Sequence, residues 1–77
     1  MRVAIAQIEI KEENGHRYEG QVKKNGRRHG QGVLSRYWGE RYEGEFRAGH
    51  GRHGHGTNTY ADGRVESGKW DGNSFQG

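Results

Sequence analysis

Cysteine and proline are absent from the 77 residues, and large apolar side chains are scarce: Leu, Ile, Val and Phe together number 10. Without cysteine the chain can hold neither a disulfide framework nor a thiolate metal site, which fits the reducing cytoplasm. So few apolar residues leave little to pack. A chain this short buries only about 60% of the surface that it exposes when unfolded, and the composition alone points toward disorder. Long apolar runs are missing too. The opening "MRVAIAQIEI" is interrupted by Gln7 and Glu9 too early for a signal-peptide h-region, and nothing approaches a transmembrane span. Against disorder stand a net charge of only +3, four Tyr, two Trp and two Phe, and stretches of alternating polarity such as Arg17 to Val22.

What the chain does have is an internal repeat, and a repeat must be found before any motif in it is interpreted. "RYEGQVKKNGRRHGQGVLSRYWGE" (17–40) lies over "RYEGEFRAGHGRHGHGTNTYADGR" (41–64) without a gap, at an offset of 24, with nine identical positions. The offset extends outward, linking Gly15, Gly39 and Gly63, then Gly20, Gly44 and Gly68, and Phe46 to Trp70. The unit reads as a β-hairpin. Tyr18, Gly20 and Val22 share one face of an extended strand, as do Tyr42, Gly44 and Phe46, while Glu19, Gln21, Glu43 and Glu45 take the other. Between candidate strands lie Asn14-Gly15, Asn25-Gly26, Trp38-Gly39, Asp62-Gly63 and Asp71-Gly72, mostly dipeptides that accept φ > 0 at both central turn positions. The expected strands cover 2–11, 17–22, 29–36, 41–46, 53–60 and 65–70, in a twisted, single-layer antiparallel meander of five or six strands; no stretch has sustained helical periodicity.

Glycine within strands destabilises them, so Gly30, Gly32, Gly54 and Gly56 need a reason. If Gly20, Gly30 and Gly32 share the face of Tyr18, they leave a trough in which the ring lies flat on backbone. Each covered ring would then contribute about 2 kcal/mol to a sheet that has no second layer.

These residues carry a resemblance. Tyr42-Glu43-Gly44-Glu45-Phe46, then His53-Gly54-His55-Gly56, then Tyr60-Ala61-Asp62-Gly63, is similar to the MORN repeat (membrane occupation and recognition nexus). Tyr18-Glu19-Gly20-Gln21-Val22 with His29-Gly30-Gln31-Gly32 forms the other full copy, with Val where an aromatic is usual. The spacing here is one residue longer than the family's, the extra residue falling in the turn before His-Gly-x-Gly, and Glu66 replaces the Tyr of the last copy. On this resemblance residues 1–77 form one domain: a divergent capping strand (1–14), two full repeats (15–64) and a partial one (65–77). The resemblance implies a rod-like sheet of stacked hairpins used for scaffolding, self-association or protein binding, and sometimes credited with lipid binding; it does not imply catalysis.

Other chemistry is weakly signalled. His50, His53 and His55 invite a three-imidazole metal site. His53, however, is the repeat's own histidine, matching His29, and a structural ring packed on an aromatic and donating to backbone is the better reading; no metal or cofactor is expected. Ser35, Ser67 and Ser74 lack a G-x-S-x-G setting. Glu12, Glu13, Glu19, Glu43, Glu45 and Glu66 read as solvated face and turns, and no phosphate-loop pattern is present, so no enzyme is expected. Lys23, Lys24, Arg27 and Arg28 cluster in one turn, and Arg47, Arg52 and His53 occupy the equivalent region one repeat later. Stacking would bring these to one edge, which either binds an anionic nucleotide or phosphoinositide headgroup or keeps the sheet soluble and blunts its edges. The expected function is a non-catalytic, cytoplasmic protein-interaction module, its groove formed by Tyr18, Tyr42, Phe46, Tyr60 and Trp70, engaging a protein partner or another copy of itself. The two-faced apolar strand "RVAIAQIEI" and the abrupt "DGNSFQG" end point to a homo-oligomer.

Overall fold

Alternating side chains and closely spaced turn residues leave the chain one economical course, a meander in which each strand pairs with the next. The computed structural model describes residues 7–77. It holds seven strands in one antiparallel sheet, in sequence order: β1 (Gln7–Glu13), β2 (His16–Val22), β3 (Arg28–Ser35), β4 (Arg41–Arg47), β5 (Gly51–Thr59), β6 (Val65–Asp71) and β7 (Ser74–Phe75). Of the first expected strand, residues 2–6 lie outside the described residues. The strand beyond the expected six is the two-residue β7, which turns the chain end back on β6 and pairs Phe75 with Trp70.

Register repeats with the sequence. Tyr18 lies opposite Leu34 and Gly20 opposite Gly32; one repeat later Tyr42 lies opposite Asn58 and Gly44 opposite Gly56. Both hairpins break register at the same place, between Gly20 and Val22 and between Gly44 and Phe46. The bulge residues there are Gly30 and Gly54, at φ 84° and 85°, a left-handed conformation that disfavours any side chain.

The glycine trough forms from Gly20 and Gly32, without Gly30. A β-carbon on Gly32 would stand 2.6 Å from Tyr18 Cε1, and one on Gly56 2.5 Å from Tyr42 Cε1, so both rings occupy space that only glycine leaves open. Gly30 instead faces the Gln21 side chain, because the bulge rotates it away from the ring. Each tyrosine hydroxyl donates to a backbone carbonyl three residues on, Tyr18 to Gln21 at 2.6 Å and Tyr42 to Glu45 at 2.9 Å. The phenol thus lies down with its polar end satisfied.

Four of the five turns depart from the expected geometry. Only Asn14-Gly15 has φ > 0 at both central positions as expected; at the end of the chain that role falls to Gly72-Asn73 rather than Asp71-Gly72. The connections at Lys23–Arg27, Arg36–Glu40 and Tyr60–Arg64 are five-residue turns in which only Gly26, Gly39 or Gly63 is left-handed, its N–H donating to the carbonyl three residues back.

The two-residue first turn has a consequence for β1. A strict repeat would place Ile10 opposite Tyr18, as Leu34 lies opposite Tyr42, but the turn sets Lys11 there and Ile10 opposite Glu19. A slip of one residue exchanges faces. Ile8 and Ile10 therefore lie on the side away from the rings and stay exposed.

Candidate functional site

Among the described residues Tyr18, Val22, Leu34, Tyr42, Phe46 and Trp70 are the buried apolar ones and form one cluster, with Phe75 packed against its end. The rings make a ladder. Tyr18 stands edge-on to Phe46 at 5.3 Å, Phe46 to Tyr42 at 5.0 Å, Tyr42 to Trp70 at 5.5 Å, and Trp70 leans on Phe75 at 5.1 Å. The Trp70 indole also donates to the Gly56 carbonyl at 3.0 Å. Of the residues expected to form an aromatic groove, Tyr18, Tyr42, Phe46 and Trp70 are thus brought together. Tyr60 stands apart: its hydroxyl bonds Glu66 and the Arg64 guanidinium lies 4.3 Å from its ring centroid. Glu66, where the repeat would have a tyrosine, becomes the acceptor for Tyr60 instead of a packed ring.

Among the described residues no second layer covers this face; arginines do. The Arg28 guanidinium lies over Tyr18 and Phe46 at 5.7 and 5.9 Å, and Arg52 over Tyr42 and Trp70 at 5.8 and 4.6 Å. Planar guanidinium suits such stacking, because it is weakly hydrated and keeps its charge. Burial against the rings pulls the Arg28 pKa below its ordinary value, and the nearby Arg36 charge adds to this. Burial likewise raises the Tyr18 and Tyr42 hydroxyl pKa values.

The two arginines differ in their partners. Arg52 donates to Asn58 Oδ1 at 3.0 Å, to Asn73 Oδ1 at 3.1 Å and to the Asn73 carbonyl at 3.1 Å, and pairs with Glu40 at 3.7 Å. Asn58 is fully buried, 1% exposed, and its amide donates to Glu40 Oε2 at 2.8 Å while the Trp38 indole donates to Oε1 at 3.0 Å. Burial alone would raise the Glu40 pKa, but the bonds from Trp38 and Asn58 and the charges of Arg52 and Arg36 hold it below its ordinary value. No spacing in the repeat signals this network. An asparagine in a core position makes sense only with its partners, Glu40 from the β3–β4 turn and Arg52 from the start of β5.

Among the basic residues, Arg27, Arg28 and Arg47 line an open groove of ≈ 540 Å³ together with Lys11 and His50, whereas Lys23 and Lys24 are exposed in their turn and do not line it. Arg52 is drawn into the network above. His53 sits 3.5 Å from Asp71, its ring 5.8 Å from that of His50, while His55 lines a separate groove beside Glu43 and Thr57. The described residues hold no group of three His, Cys, Asp or Glu placed to hold a metal ion. His29 accepts from the backbone N–H of Ala48 at 3.1 Å instead of donating as expected, because the β4–β5 turn presents an amide, not a carbonyl, to Nδ1. No helix among the described residues is long and apolar enough to cross a membrane.

A single-layer sheet that buries tyrosine on paired glycines, once per hairpin and in constant register, defines the chain as a linear β-hairpin repeat protein. The family model of the MORN repeat matches residues 18–41 and 42–63, more than half of the chain, in two adjacent copies; the chain belongs to the MORN-repeat family. MORN repeats are protein-interaction modules, and the family is in general non-enzymatic. No match is found among curated proteins.

Proposed function

We propose that the chain is a non-catalytic interaction module that offers its aromatic face, with the arginines above it, to a protein partner or to a second copy. The observation that carries this reading is the ladder from Tyr18 to Phe75, finished on its outer side by arginine side chains and, among the described residues, by no other layer of chain. Such a face is rigid, apolar beneath and cationic above, the composition in which aromatic residues and arginine dominate binding energy. Self-association has a second support. β1 is the outermost strand of the described sheet, and its Ile8 and Ile10 are 65% and 57% exposed, so association between copies along this edge would cover them.

A second reading has its own observation: Lys11, Arg27, Arg28, Arg47 and His50 border one groove, a basic site where a nucleotide or phosphoinositide headgroup would bind and be displaced by salt. Affinity purification with mass spectrometry, followed by reconstitution of the binding from purified components and light scattering of the chain alone, tests the first reading. A partner or a concentration-dependent oligomer is expected. Saturable, salt-sensitive binding of phosphoinositide vesicles, lost in Arg27→Glu with Arg47→Glu and unaccompanied by any protein partner or oligomer, would favour the second.

A further inference from the structure

Both repeats hold an arginine over a pair of rings, yet only one of these arginines has an anion beside it. Around Arg52 the chain supplies Glu40, Asn58 and Asn73. Moved back by the 24-residue offset, those three positions are His16, Leu34 and Gly49. None can accept a charge-assisted bond through a carboxylate or amide side chain. Among the described residues Arg28 makes no ion pair and no side-chain hydrogen bond, and Arg36 beside it makes none either. Arg36 lies over the Trp38 ring at 5.6 Å, and its charge bears on Arg28. Grooves of ≈ 200 and ≈ 270 Å³ meet here and share Arg28, Arg36 and Leu34. The site is thus two guanidinium groups, Arg28 over the Tyr18 ring and Arg36 over the Trp38 ring, in grooves lined by the buried Leu34, with Glu13 in one groove and Glu40 in the other.

We propose that this site takes the carboxylate of a glutamate or aspartate from an acidic segment of a protein partner, in the place that Glu40 fills one repeat later. Glu40 serves as the internal template: a carboxylate next to a ring-stacked arginine, receiving bonds from the Asn58 amide and the Trp38 indole. Two guanidinium forks give a carboxylate charge-assisted bonds that water screens only from one side. Leu34, in the position of Asn58, offers the ligand's aliphatic stem a surface and no competing polar group. Glu13 also lines the groove, without pairing to either arginine, and raises specificity by repelling anions that seat off-centre. The inference rests on the interaction-module reading above and assigns its recognition chemistry to one spot.

The test uses the full chain and a capped peptide, acetyl-Gly-Glu-Leu-Glu-Gly-amide, beside its Gln counterpart, with the Arg Nε–H resonances followed by NMR during titration. Saturable shifts at Arg28 and Arg36 with the Glu peptide alone are expected, weakened at high salt. Arg28→Gln and Arg36→Gln should each weaken binding about tenfold, while Arg64→Gln, an equal change of charge outside the site, should alter it by less than about twofold. His16→Glu installs the missing carboxylate within the chain and should also weaken binding about tenfold while the fold becomes harder to unfold in urea, which keeps the test decisive should the arginine variants fold poorly. Equal response to both peptides, equal loss in Arg64→Gln, or shifts with inositol hexakisphosphate and none with the Glu peptide would overturn the proposal. If a purified protein partner binds with full affinity to Arg28→Gln and Arg36→Gln, the interaction reading stands and this assignment falls; if no partner or oligomer exists at all, the interaction reading itself fails.

Discussion

Tyr42 touches two rings and Tyr18 one. Phe46 and Trp70 stand around Tyr42 at 5.0 and 5.5 Å, whereas Tyr18 meets Phe46 at 5.3 Å and has Val22 where Tyr42 has Phe46. Beyond Trp70 the ladder is closed by Phe75; beyond Tyr18, toward β1, the opposite strand offers Lys11. One scaffold, repeated, therefore carries two different amounts of packing. Stability is concentrated in the second repeat, and the first is the more open of the two. The largest test of this asymmetry is to remove each tyrosine. Tyr42→Ala should cost about 3–5 kcal/mol, enough to unfold a domain this small. Tyr18→Ala should cost about 1 kcal/mol less, the worth of one ring pair. Urea denaturation of both variants measures the gap, and equal losses would remove the asymmetry.

Exchanging the residues beneath the arginines comes next. Leu34→Asn puts a buried amide beside Arg28 with no Glu40 to receive its N–H groups, and it should cost about 2–3 kcal/mol. The reverse change, Asn58→Leu, replaces the amide with apolar volume and leaves Arg52 and Glu40 their own ion pair, so about 1 kcal/mol is expected. If the two changes prove equal, Glu40 is not what makes Asn58 tolerable.

The sheet, the hairpins and the tyrosine-on-glycine packing were legible because each depends on local spacing that recurs: Tyr18 with Gly20, Tyr42 with Gly44, and the turn glycines. The face of β1 was not. Apolar content made it look like a sticky strand on both sides, but its orientation depends on whether Asn14-Gly15 closes a two-residue turn, and one residue more or less reverses it. The arginine caps were hidden for another reason. Arg28 and Arg52 read as charged turn residues, and only the bulge at Gly30 or Gly54 swings them over the rings. Asn58 was hidden because its partners, Arg52 at the far end of its own strand and Glu40 in the β3–β4 turn, stand outside the two-residue alternation that reveals a strand.

Acid should separate the repeats as well. Folding holds the Glu40 pKa below its ordinary value of 4.5, so the folded chain favours the ionised form more than the unfolded chain does. Its contribution to stability is fully present above the unfolded value and is lost as pH falls through the lower folded one. The first repeat has His16 at this position and carries no such contribution. Thermal melts from about pH 6 to about pH 3 should therefore show a fall in stability that is shallower in Glu40→Gln, the gap between the two curves narrowing only below about pH 4.5. Parallel curves would mean that Glu40 titrates as a free side chain and that the network adds nothing to the second repeat.

The smallest expected difference runs the other way, in favour of the first repeat. At its bulge the Gln21 side chain accepts the Gln31 backbone N–H at 2.7 Å, satisfying a donor that the broken register leaves without a strand partner. Glu45 holds the same place over Gly54, yet among the described residues its carboxylate accepts no such bond from His55. A bond on the open side of a sheet exchanges with water, so its net worth is small, about 0.5–1 kcal/mol. Gln21→Ala should lose that amount in urea unfolding and speed hydrogen exchange at Gln31, while Glu45→Ala should leave both stability and the His55 amide nearly unchanged. Equal protection of the Gln31 and His55 amides in the unsubstituted chain would show that the two bulges are alike in solution, and the contrast between the repeats would then lie only in their rings and their arginines.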